Sequence, residues 1–322
     1  MSARRYLLLP LTPLYRLGLA LRGWRLRSGQ EEVRRLRRPV ISIGNLSLGG
    51  AGKTPLTIAL ARALSGRGLR VDVLSRGYGR RSALPLWVDP EGAAEEYGDE
   101  PLVIAREAGV PVFVAAERYE AGLLAEARGA PDLHLLDDGF QHRQLDRAVN
   151  LLLLNRRDWH DWLLPAGNLR EPLAAMRRAD VLVIPAEEPE LAAKVKARGW
   201  SGPVWRVRRR MEAPAVAGPV VAFCGIARPE QFFAELEGAG LQVASRVPFR
   251  DHHRYLAHDL DCLRDAARSV NAAAFVTTEK DRARLGAMAS RLSDAAPLHA
   301  AGLRAELEDE ESALDWMLGR IG

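Results

Sequence analysis

Residues 47–54 of the chain read Ser-Leu-Gly-Gly-Ala-Gly-Lys-Thr, and the apolar run Pro39-Val40-Ile41-Ser42-Ile43 shortly precedes them. A strand, a glycine-rich loop and a helix in this order form a phosphate cradle, because the backbone N–H groups of the loop turn inward. Lys53 then places its charge on the β- and γ-phosphate oxygens, and the Thr54 hydroxyl can ligate Mg²⁺. The stretch predicts a nucleoside-triphosphate site formed by Ser47, Leu48, Gly49, Gly50, Ala51, Gly52, Lys53 and Thr54.

One position of this loop departs from the usual pattern. Ser47 stands where the G-x-x-x-x-G-K-[ST] pattern has its first glycine, and the later glycines of the loop compensate for it. A tightly packed glycine turn that binds nothing is the alternative interpretation. The Lys-Thr pair and the helical stretch from Leu56 to Leu64 favour phosphate binding.

The composition is that of a globular enzyme. The chain has 322 residues, of which 48% are hydrophobic and 27% are charged, so it can bury the cores of about two domains. This composition excludes a disordered or repeat protein. Its two cysteines, Cys224 and Cys262, are too few for a disulfide framework or a cysteine metal cluster, which fits a reducing cytoplasm.

The N-terminal segment, residues 1–38, is both basic and apolar. It holds ten arginines against two glutamates, whereas the net charge of the whole chain is +5. Pro10, Pro13 and Arg16 interrupt its apolar run, which is therefore too short to span a membrane. Its apolar residues share one face of a helix: Leu14, Leu17, Leu21 and Trp24. This pattern predicts a segment that lies at a membrane surface.

Two other interpretations of this segment remain open at this point. The helix could dock on the core of the protein itself and expose a solvated basic face. Its arginines could also contact nucleic acid, but few aromatic residues accompany the later arginines and no nucleic-acid motif is present, so we expect no nucleic-acid partner.

Short apolar runs alternate with helical stretches from residue 40 to about residue 187. The predicted strands are 40–44, 69–74, 111–115, 133–137, 149–154 and 181–185. Such alternation is typical of a parallel sheet covered on both faces, in which ligands bind at the carboxyl ends of the strands. We therefore predict an α/β fold, a P-loop NTPase-like parallel sheet sandwich with a second, smaller α/β domain.

The same pattern predicts the organisation of the chain. The segments are the membrane-associating segment 1–38, the P-loop domain 39–202, a linker 203–218, the smaller α/β domain 219–297, and a return linker with a C-terminal helix, 298–322. The linker begins with an alternating, arginine-rich stretch that resembles an exposed strand. The smaller domain alternates strands and helices again, with strands near 220–224, 241–247 and 274–278.

Acidic residues and a histidine group follow several of these elements. Asp137 and Asp138 end an apolar strand, which is where a P-loop protein holds Mg²⁺ opposite its lysine and threonine. Asp99 lies at the start of a helix, where capping is the simpler explanation. Asp251 is followed by His252, so a carboxylate could orient an imidazole there, although such a group is also an ordinary surface feature.

Several short segments, each present once, follow one another in a defined order along the chain. They are Ile43-Gly44-Asn45-Leu46 through Gly52-Lys53-Thr54-Pro55, Ser75-Arg76-Gly77-Tyr78-Gly79, Gly98-Asp99-Glu100-Pro101, Asp137-Asp138-Gly139-Phe140-Gln141-His142, Leu164-Pro165-Ala166-Gly167 with Leu169-Arg170-Glu171-Pro172, Phe223-Cys224-Gly225-Ile226-Ala227 with Pro229, Phe249 with Asp251-His252-His253, and Thr277-Thr278-Glu279-Lys280-Asp281. In this combination the chain resembles the tetraacyldisaccharide 4′-kinase family of lipid A assembly over nearly its whole length. Arg250 stands where that family leads us to expect proline.

The resemblance implies transfer of the ATP γ-phosphoryl group to the 4′-hydroxyl of a tetraacylated glucosamine disaccharide 1-phosphate, at the cytoplasmic face of the bacterial inner membrane. ATP and Mg²⁺ are the implied cofactors, with Thr54, Asp137 and Asp138 as metal ligands. The implied catalytic residues are Asp99 as base, His252 paired with it, Asp251 orienting that histidine, and Lys53. The residues expected to bind the lipid substrate are Asn45, Arg76, Tyr78, Arg118, Gln141, His142, Arg170 and Glu171.

A membrane-docking P-loop regulatory or metal-insertion NTPase is the rival interpretation. It predicts guanine selectivity, but the chain has no Asn-Lys-x-Asp segment, and Thr278-Glu279-Lys280-Asp281 resembles one only superficially. A cytosolic small-molecule kinase is a third interpretation, and it would leave the N-terminal segment unexplained.

Overall fold

Twelve strands form one sheet in the part of the chain that the structure describes. The structure is a computed structural model, and it describes residues 7–49 and 52–321. The strands are β1 (Val40–Asn45), β2 (Val71–Ser75), β3 (Leu86–Trp87), β4 (Val112–Val114), β5 (Leu133–Asp137), β6 (Val149–Leu153), β7 (Val181–Pro185), β8 (Val204–Glu212), β9 (Pro219–Cys224), β10 (Gln242–Pro248), β11 (Ala274–Thr278) and β12 (Leu298–Leu307). Their order across the sheet is β10-β9-β11-β12-β8-β7-β6-β1-β5-β2-β4-β3.

Helices cover this sheet. The α-helices are α1 (Thr12–Arg27), α2 (Lys53–Gly66), α3 (Ala94–Tyr97), α4 (Asp99–Ala108), α5 (Arg118–Gly129), α6 (Glu190–Ala197), α7 (Pro229–Gly238), α8 (Ala257–Ser269), α9 (Glu279–Leu285), α10 (Ala289–Ser293) and α11 (Glu310–Ile321). Short 3₁₀ helices lie at Leu9–Leu11, Arg156–Trp159, Leu173–Arg178 and Gly286–Met288.

The first half of the sheet is built around β1. Every residue of β1 is buried, and it pairs in parallel with β5 on one side and β6 on the other. Separate apolar clusters pack on the two faces of this region, one around Ile41 and Leu135 and others around Leu152 and Leu136. A parallel strand buried on both faces needs such a continuous apolar run. The predicted α/β class is therefore confirmed.

The six strands predicted in this half correspond to β1, β2, β4, β5, β6 and β7. The bounds of two of them, 133–137 and 181–185, agree fully, and the ends of the other four differ by one or two residues; for example, the run predicted at 69–74 forms a strand over Val71–Ser75. The additional strand β3 has two residues and pairs antiparallel with β4 at the sheet edge. So short an edge strand has no apolar run that a pattern could detect.

The second half of the chain contributes β9, β10 and β11, which are parallel to one another. Phe223 is fully buried at its centre, and the rings of Tyr255 and Phe275 pack on it edge to face, with centroids 5.9 and 6.4 Å away. Such pairs add to the stability that burial of the rings alone provides. This core supports the loops that follow β9 and β10.

Two long strands join the halves. The predicted linker, 203–218, contains β8, and the predicted return segment, 298–322, contains β12 and α11. β8 pairs in parallel with β7 and antiparallel with β12, while β12 also pairs in parallel with β11. Most of the segment expected to be a linker is thus hydrogen-bonded inside the sheet. The domain bounds themselves stay a prediction.

Helix α1 lies against the first half of the chain with its leucines facing outward. The Tyr15 hydroxyl donates a hydrogen bond to the backbone oxygen of Arg170 at 2.9 Å. Leu14, Leu17 and Leu21 are exposed, the first of them to 68%. Within residues 7–49 and 52–321, no helix has both the length and the hydrophobicity that a membrane crossing requires. The first six residues of the predicted N-terminal segment lie outside the described part of the chain.

Candidate active site

A cleft of about 1780 Å³ opens between the two halves of the molecule. The glycine-rich loop and the ends of β2 and β5 line one side of it, as the carboxyl ends of parallel strands do in open α/β sheets. The loops after β9 and β10 and the start of α9 line the other side. Residues from distant parts of the chain therefore face one space.

The glycine-rich loop leads directly into α2, which begins at Lys53. Gly52 has a φ of +86°, a conformation that L side chains rarely adopt, so glycine is required there. The Lys53 ammonium donates to Asn45 Oδ1 at 3.0 Å and lies 3.6 Å from Asp138 Oδ1. Ser47, Leu48, Gly49 and Thr54 line the same cleft, whereas the predicted residues Gly50 and Ala51 lie outside the described residues.

The paired aspartates at the end of β5 have different surroundings. Asp137 is buried and accepts a hydrogen bond from the Thr57 hydroxyl at 3.0 Å. Burial and the negative charges of Glu100 and Asp138 raise the pKa of Asp137 to about 7. Burial also acts to raise the pKa of Asp138, but the charges of Lys53 and Arg170 outweigh it and hold that pKa well below its usual range. The cluster therefore concentrates negative charge beside the loop.

Asp99 and His252 come together across the cleft, as the resemblance implies. The Nδ1 atom of His252 lies 3.1 Å from Oδ2 of Asp99, and Nε of Arg284 donates to the same oxygen at 2.9 Å. The Asp99 side chain is only 5% exposed and that of His252 is 40% exposed. Burial acts to raise the pKa of Asp99, but the His252 hydrogen bond and the charges of Arg284 and Lys280 outweigh it and lower that pKa far below its ordinary value.

The hydrogen bond to Asp99 is also what raises the pKa of His252. A histidine held by a buried carboxylate in this way has a fixed ring orientation and an increased affinity for a proton. The backbone N–H of His252 donates to the Gly225 oxygen at 3.0 Å, which fixes the loop that carries it. The pair is therefore positioned by both halves of the chain.

Asp251 does not form a hydrogen bond with His252 in the part of the chain described. Its side chain is exposed and has no hydrogen bond or ion pair with any described residue, although its negative charge contributes to the raised pKa of His252. The orienting role inferred from the resemblance stays a prediction. The groups that hold His252 are instead Asp99 and the Gly225 oxygen.

Arg284, Glu100 and Lys280 are site residues to which the sequence assigned no role. Arg284 donates to the Gly225 oxygen at 2.8 Å and to Asp281 Oδ1 at 3.0 Å, in addition to Asp99. Lys280 forms an ion pair with Glu100 across the cleft. Glu100 and Lys280 belong to two of the segments that carry the resemblance, and this is the only signal in the sequence that pointed to them.

The residues predicted to bind the lipid substrate fall into two groups around this cleft. Beside the glycine-rich loop, the Arg170 guanidinium donates to both carboxylate oxygens of Asp138, at 3.0 and 2.8 Å, and to Asn45. Gln141 donates to the Asn45 backbone oxygen at 2.9 Å. The Glu171 carboxylate forms an ion pair with Arg178 at 2.9 Å.

The second group is strongly basic. Burial and the charge of Arg76 lower the pKa of the buried Arg118 to about 10, and burial with the charges of Arg118 and Arg147 lowers the pKa of His142 to about 3. Burial is the larger cause of both pKa shifts, and the neighbouring cations add to it. The exposed ring of Tyr78 lies beside that of His252, with centroids 5.3 Å apart. This part of the cleft is suited to an anionic ligand.

The metal residues expected from the sequence also face the cleft, namely Thr54, Asp137 and Asp138. In the described ranges, which omit residues 50 and 51, no group of three His, Cys, Asp or Glu side chains could hold a metal ion by itself.

Comparisons with known proteins match this chain over nearly its whole length. The family model for Tetraacyldisaccharide-1-P 4′-kinase matches residues 4–322. The chain is 43% identical over 317 residues to a tetraacyldisaccharide 4′-kinase of Koribacter versatilis (strain Ellin345), with 95% of this chain and 96% of that protein covered. It is 40% identical over 326 residues to the protein of the same name from Rhodopseudomonas palustris (strain HaA2), with 98% and 92% covered.

A solved structure is similar as well. The crystal structure of the "apo" form of LpxK from Aquifex aeolicus in complex with ATP aligns with a TM-score of 0.78 and 34% sequence identity. The alignment covers 98% of this chain and 99% of that chain.

Proposed function

The chain belongs to the tetraacyldisaccharide 4′-kinase family, and from this premise we propose how the residues of its cleft carry out the reaction. As a lipid A 4′-kinase, the protein uses ATP to phosphorylate the 4′-hydroxyl of a tetraacylated glucosamine disaccharide 1-phosphate. The observation that carries the proposed mechanism is that Lys53 lines the cleft on one side, while His252, which contacts Asp99, lines it as well.

Lys53 acts on the phosphates of ATP. Its ammonium is held between Asn45 and Asp138 at the start of α2, where the backbone N–H groups also point outward. A fixed positive charge there stabilises the negative charge that spreads over the transferring phosphoryl group. The glycine-rich loop, Ser47 to Thr54, wraps the triphosphate.

Asp99 and His252 act on the acceptor hydroxyl as a pair. The pKa of Asp99 is far below the usual range, so the carboxylate is ionised at neutral pH. In the proposed mechanism the Asp99–His252 pair accepts the hydroxyl proton. His252, the more exposed partner, orients the carboxylate toward the cleft and shares the proton. Arg284 donates to the same carboxylate oxygen that His252 contacts, so Asp99 has a fixed position.

The carboxylates of Asp137 and Asp138 are suited to binding Mg²⁺. Asp137 has a raised pKa because it is buried and because the negative charges of Glu100 and Asp138 lie near it, and a divalent cation would offset those charges. Mg²⁺ is usually bound through one or two carboxylates together with substrate phosphates and water. We assign Thr54, Asp137 and Asp138 as the residues that would hold it. When bound, the ion neutralises charge on the β- and γ-phosphates.

The basic group of residues binds the acceptor. Arg76 and Arg118 line the cleft and form no ion pair with any described residue, which suits the 1-phosphate of the disaccharide. His142 is held neutral by burial and by these charges, so it acts as a hydrogen-bonding group. Tyr78, beside His252, contacts the sugar near the reacting hydroxyl, and Asn45, Gln141, Arg170 and Glu171 shape the remainder of the acceptor site.

Helix α1 brings the protein to the cytoplasmic surface of the inner membrane. Its exposed leucines, with Trp24 and flanking arginines, suit burial among lipid headgroups and attraction to anionic lipids. The bond from Tyr15 to Arg170 connects this helix to the acceptor side of the cleft. A lipid acceptor can therefore enter the site from the membrane surface.

An acceptor panel tests this proposal. The protein is incubated with ATP or GTP and with the tetraacylated disaccharide 1-phosphate, the deacylated disaccharide 1-phosphate, or no acceptor. We expect transfer from ATP to the acylated acceptor and much weaker transfer to the soluble one. Hydrolysis of GTP without transfer to any acceptor would instead support the regulatory or metal-insertion NTPase, and equal use of the soluble sugar would contradict the membrane-surface role.

A further inference from the structure

Arg209 belongs to β8, one of the two strands that join the halves, and lies directly over the glycine-rich loop. A Cβ atom built on Gly52 would lie 3.1 Å from Cδ and 3.5 Å from Nη1 of Arg209. The aliphatic part of this arginine therefore covers Gly52, the residue directly before α2, and both residues line the cleft. The contact is a second reason for glycine at position 52, besides its positive φ.

The charge of Arg209 is not neutralised in the part of the chain that the structure describes. Within residues 7–49 and 52–321 its guanidinium has no hydrogen bond and no ion pair, whereas Arg208, the next residue on β8, pairs with Glu308 at 3.3 Å. Adjacent residues of a strand point to opposite faces, so Arg208 faces away from the loop. Only Arg209 of these two can reach a ligand at the loop.

Several positive charges lie around the N-terminus of α2, close to Arg209. The N-terminus of α2 carries a partial positive charge, and Lys53 stands in its first turn. Burial, followed by the charges of Arg157 and Arg209, lowers the pKa of Arg228, the residue that precedes α7 on the other side of the cleft. Cations held this close repel one another unless an anion binds among them. A triphosphate is such an anion.

We propose that Arg209 is a further catalytic residue, an arginine supplied in cis by the joining strand that donates hydrogen bonds to the β- and γ-phosphates of ATP. This inference rests on the proposed function. In the transfer, the acceptor oxygen forms a bond to the γ-phosphorus while the bond from that phosphorus to the β–γ bridging oxygen breaks. The electron pair of the broken bond stays on ADP, and the hydroxyl proton goes to the Asp99–His252 pair. Arg209 stabilises the charge that develops on the bridging and γ-phosphoryl oxygens.

The test compares Arg209→Gln, Arg209→Lys and the matched control Arg208→Gln in the full-length protein. Single-turnover transfer to the tetraacylated disaccharide 1-phosphate is measured with saturating ATP, together with ADP affinity and the thermal midpoint. We expect Arg209→Gln to slow transfer roughly 10²- to 10³-fold with an unchanged midpoint. Arg209→Lys should recover only part of the rate, because lysine cannot donate the bidentate hydrogen bonds of a guanidinium group. Arg208→Gln should stay within about threefold of the parent, since its ion pair is exposed.

Transfer by Arg209→Gln within about threefold of the parent would overturn the inference, because such a loss is too small for a transition-state contact. If Arg209→Gln does not fold, Arg209→Lys decides the matter, since it keeps the stem and the charge. A parental rate for Arg209→Lys then overturns the bidentate contact, and a loss of about tenfold or more supports it. Failure of the proposed function itself would differ, because the unchanged protein would then transfer no phosphoryl group to the lipid.

Discussion

Replacing Asp99 and His252 together is expected to slow the reaction little more than replacing Asp99 alone. The two side chains meet at 3.1 Å across the cleft, and the buried carboxylate is the group that receives the proton in the proposed mechanism. If His252 acts through Asp99, its contribution disappears once Asp99 is gone. The double mutant Asp99→Ala/His252→Ala therefore measures whether the two residues form one unit.

The magnitude follows from the geometry. Loss of a positioned general base costs about 10²- to 10⁴-fold in rate, which corresponds to about 3–5 kcal/mol. His252→Ala removes one hydrogen bond to a charged group, worth about 1.5–3 kcal/mol, and thus roughly 10- to 150-fold in rate. Independent effects would multiply to about 10³- to 10⁶-fold. A single unit instead leaves the double mutant within about threefold of Asp99→Ala.

The assay is single-turnover transfer from ATP to the tetraacylated disaccharide 1-phosphate at saturating ATP, which isolates chemistry from product release. ATP affinity and the thermal midpoint are measured for each variant, because Asp99→Ala removes one of the two carboxylates that pair with the buried Arg284. His258→Ala is the matched control, since this histidine is exposed and pairs only with Asp259. If the rate losses of the two single mutants multiply in the double mutant, Asp99 and His252 do not act as one unit.

Two further changes test other parts of the mechanism. Because the charge of Arg284 helps to hold the pKa of Asp99 low, Arg284→Gln should raise that pKa and move the acid limb of the kcat–pH profile to higher pH. Arg284→Lys should largely restore the profile, the exposed Arg282→Gln should not alter it, and an unmoved limb for Arg284→Gln would exclude this role. Leu17→Glu should weaken co-sedimentation with anionic vesicles and raise KM for the lipid more than for ATP, because it places a charge on the exposed apolar face of α1. Leu123→Glu, an exposed leucine on α5, is its control, and equal sedimentation of the two variants would show that α1 is not the membrane contact.

The first half of the sheet, around β1, could be predicted from sequence because its strands are buried on both faces. A run such as Val40–Asn45 needs apolar or small residues at every position, so its pattern is visible without knowledge of its partners. Strand β8 is different. Its alternating arginines resemble a solvated surface, and its place in the sheet depends on β12, about a hundred residues later in the chain.

The site shows the same contrast. Lys53 and the loop before it are recognisable because the phosphate cradle is local in sequence. Arg284 reaches Asp99 from 185 residues away, and that contact exists only because the two halves face one cleft. Asp251 is the converse case, since it is next to His252 in the chain but forms no hydrogen bond with it among the described residues, and its orienting role stays a prediction.

Single-turnover transfer by Lys53→Ala tests the central claim most directly, which is that this loop clamps the phosphates during transfer to the lipid. With saturating ATP and the tetraacylated disaccharide 1-phosphate, we expect the rate to fall about 10²-fold or more, because a fixed charge at the transferring group is lost. Lys196→Ala, which alters an exposed lysine at the end of α6, should keep the parental rate. A Lys53→Ala rate within about tenfold of the parent would contradict the assignment of the loop as the phosphate clamp.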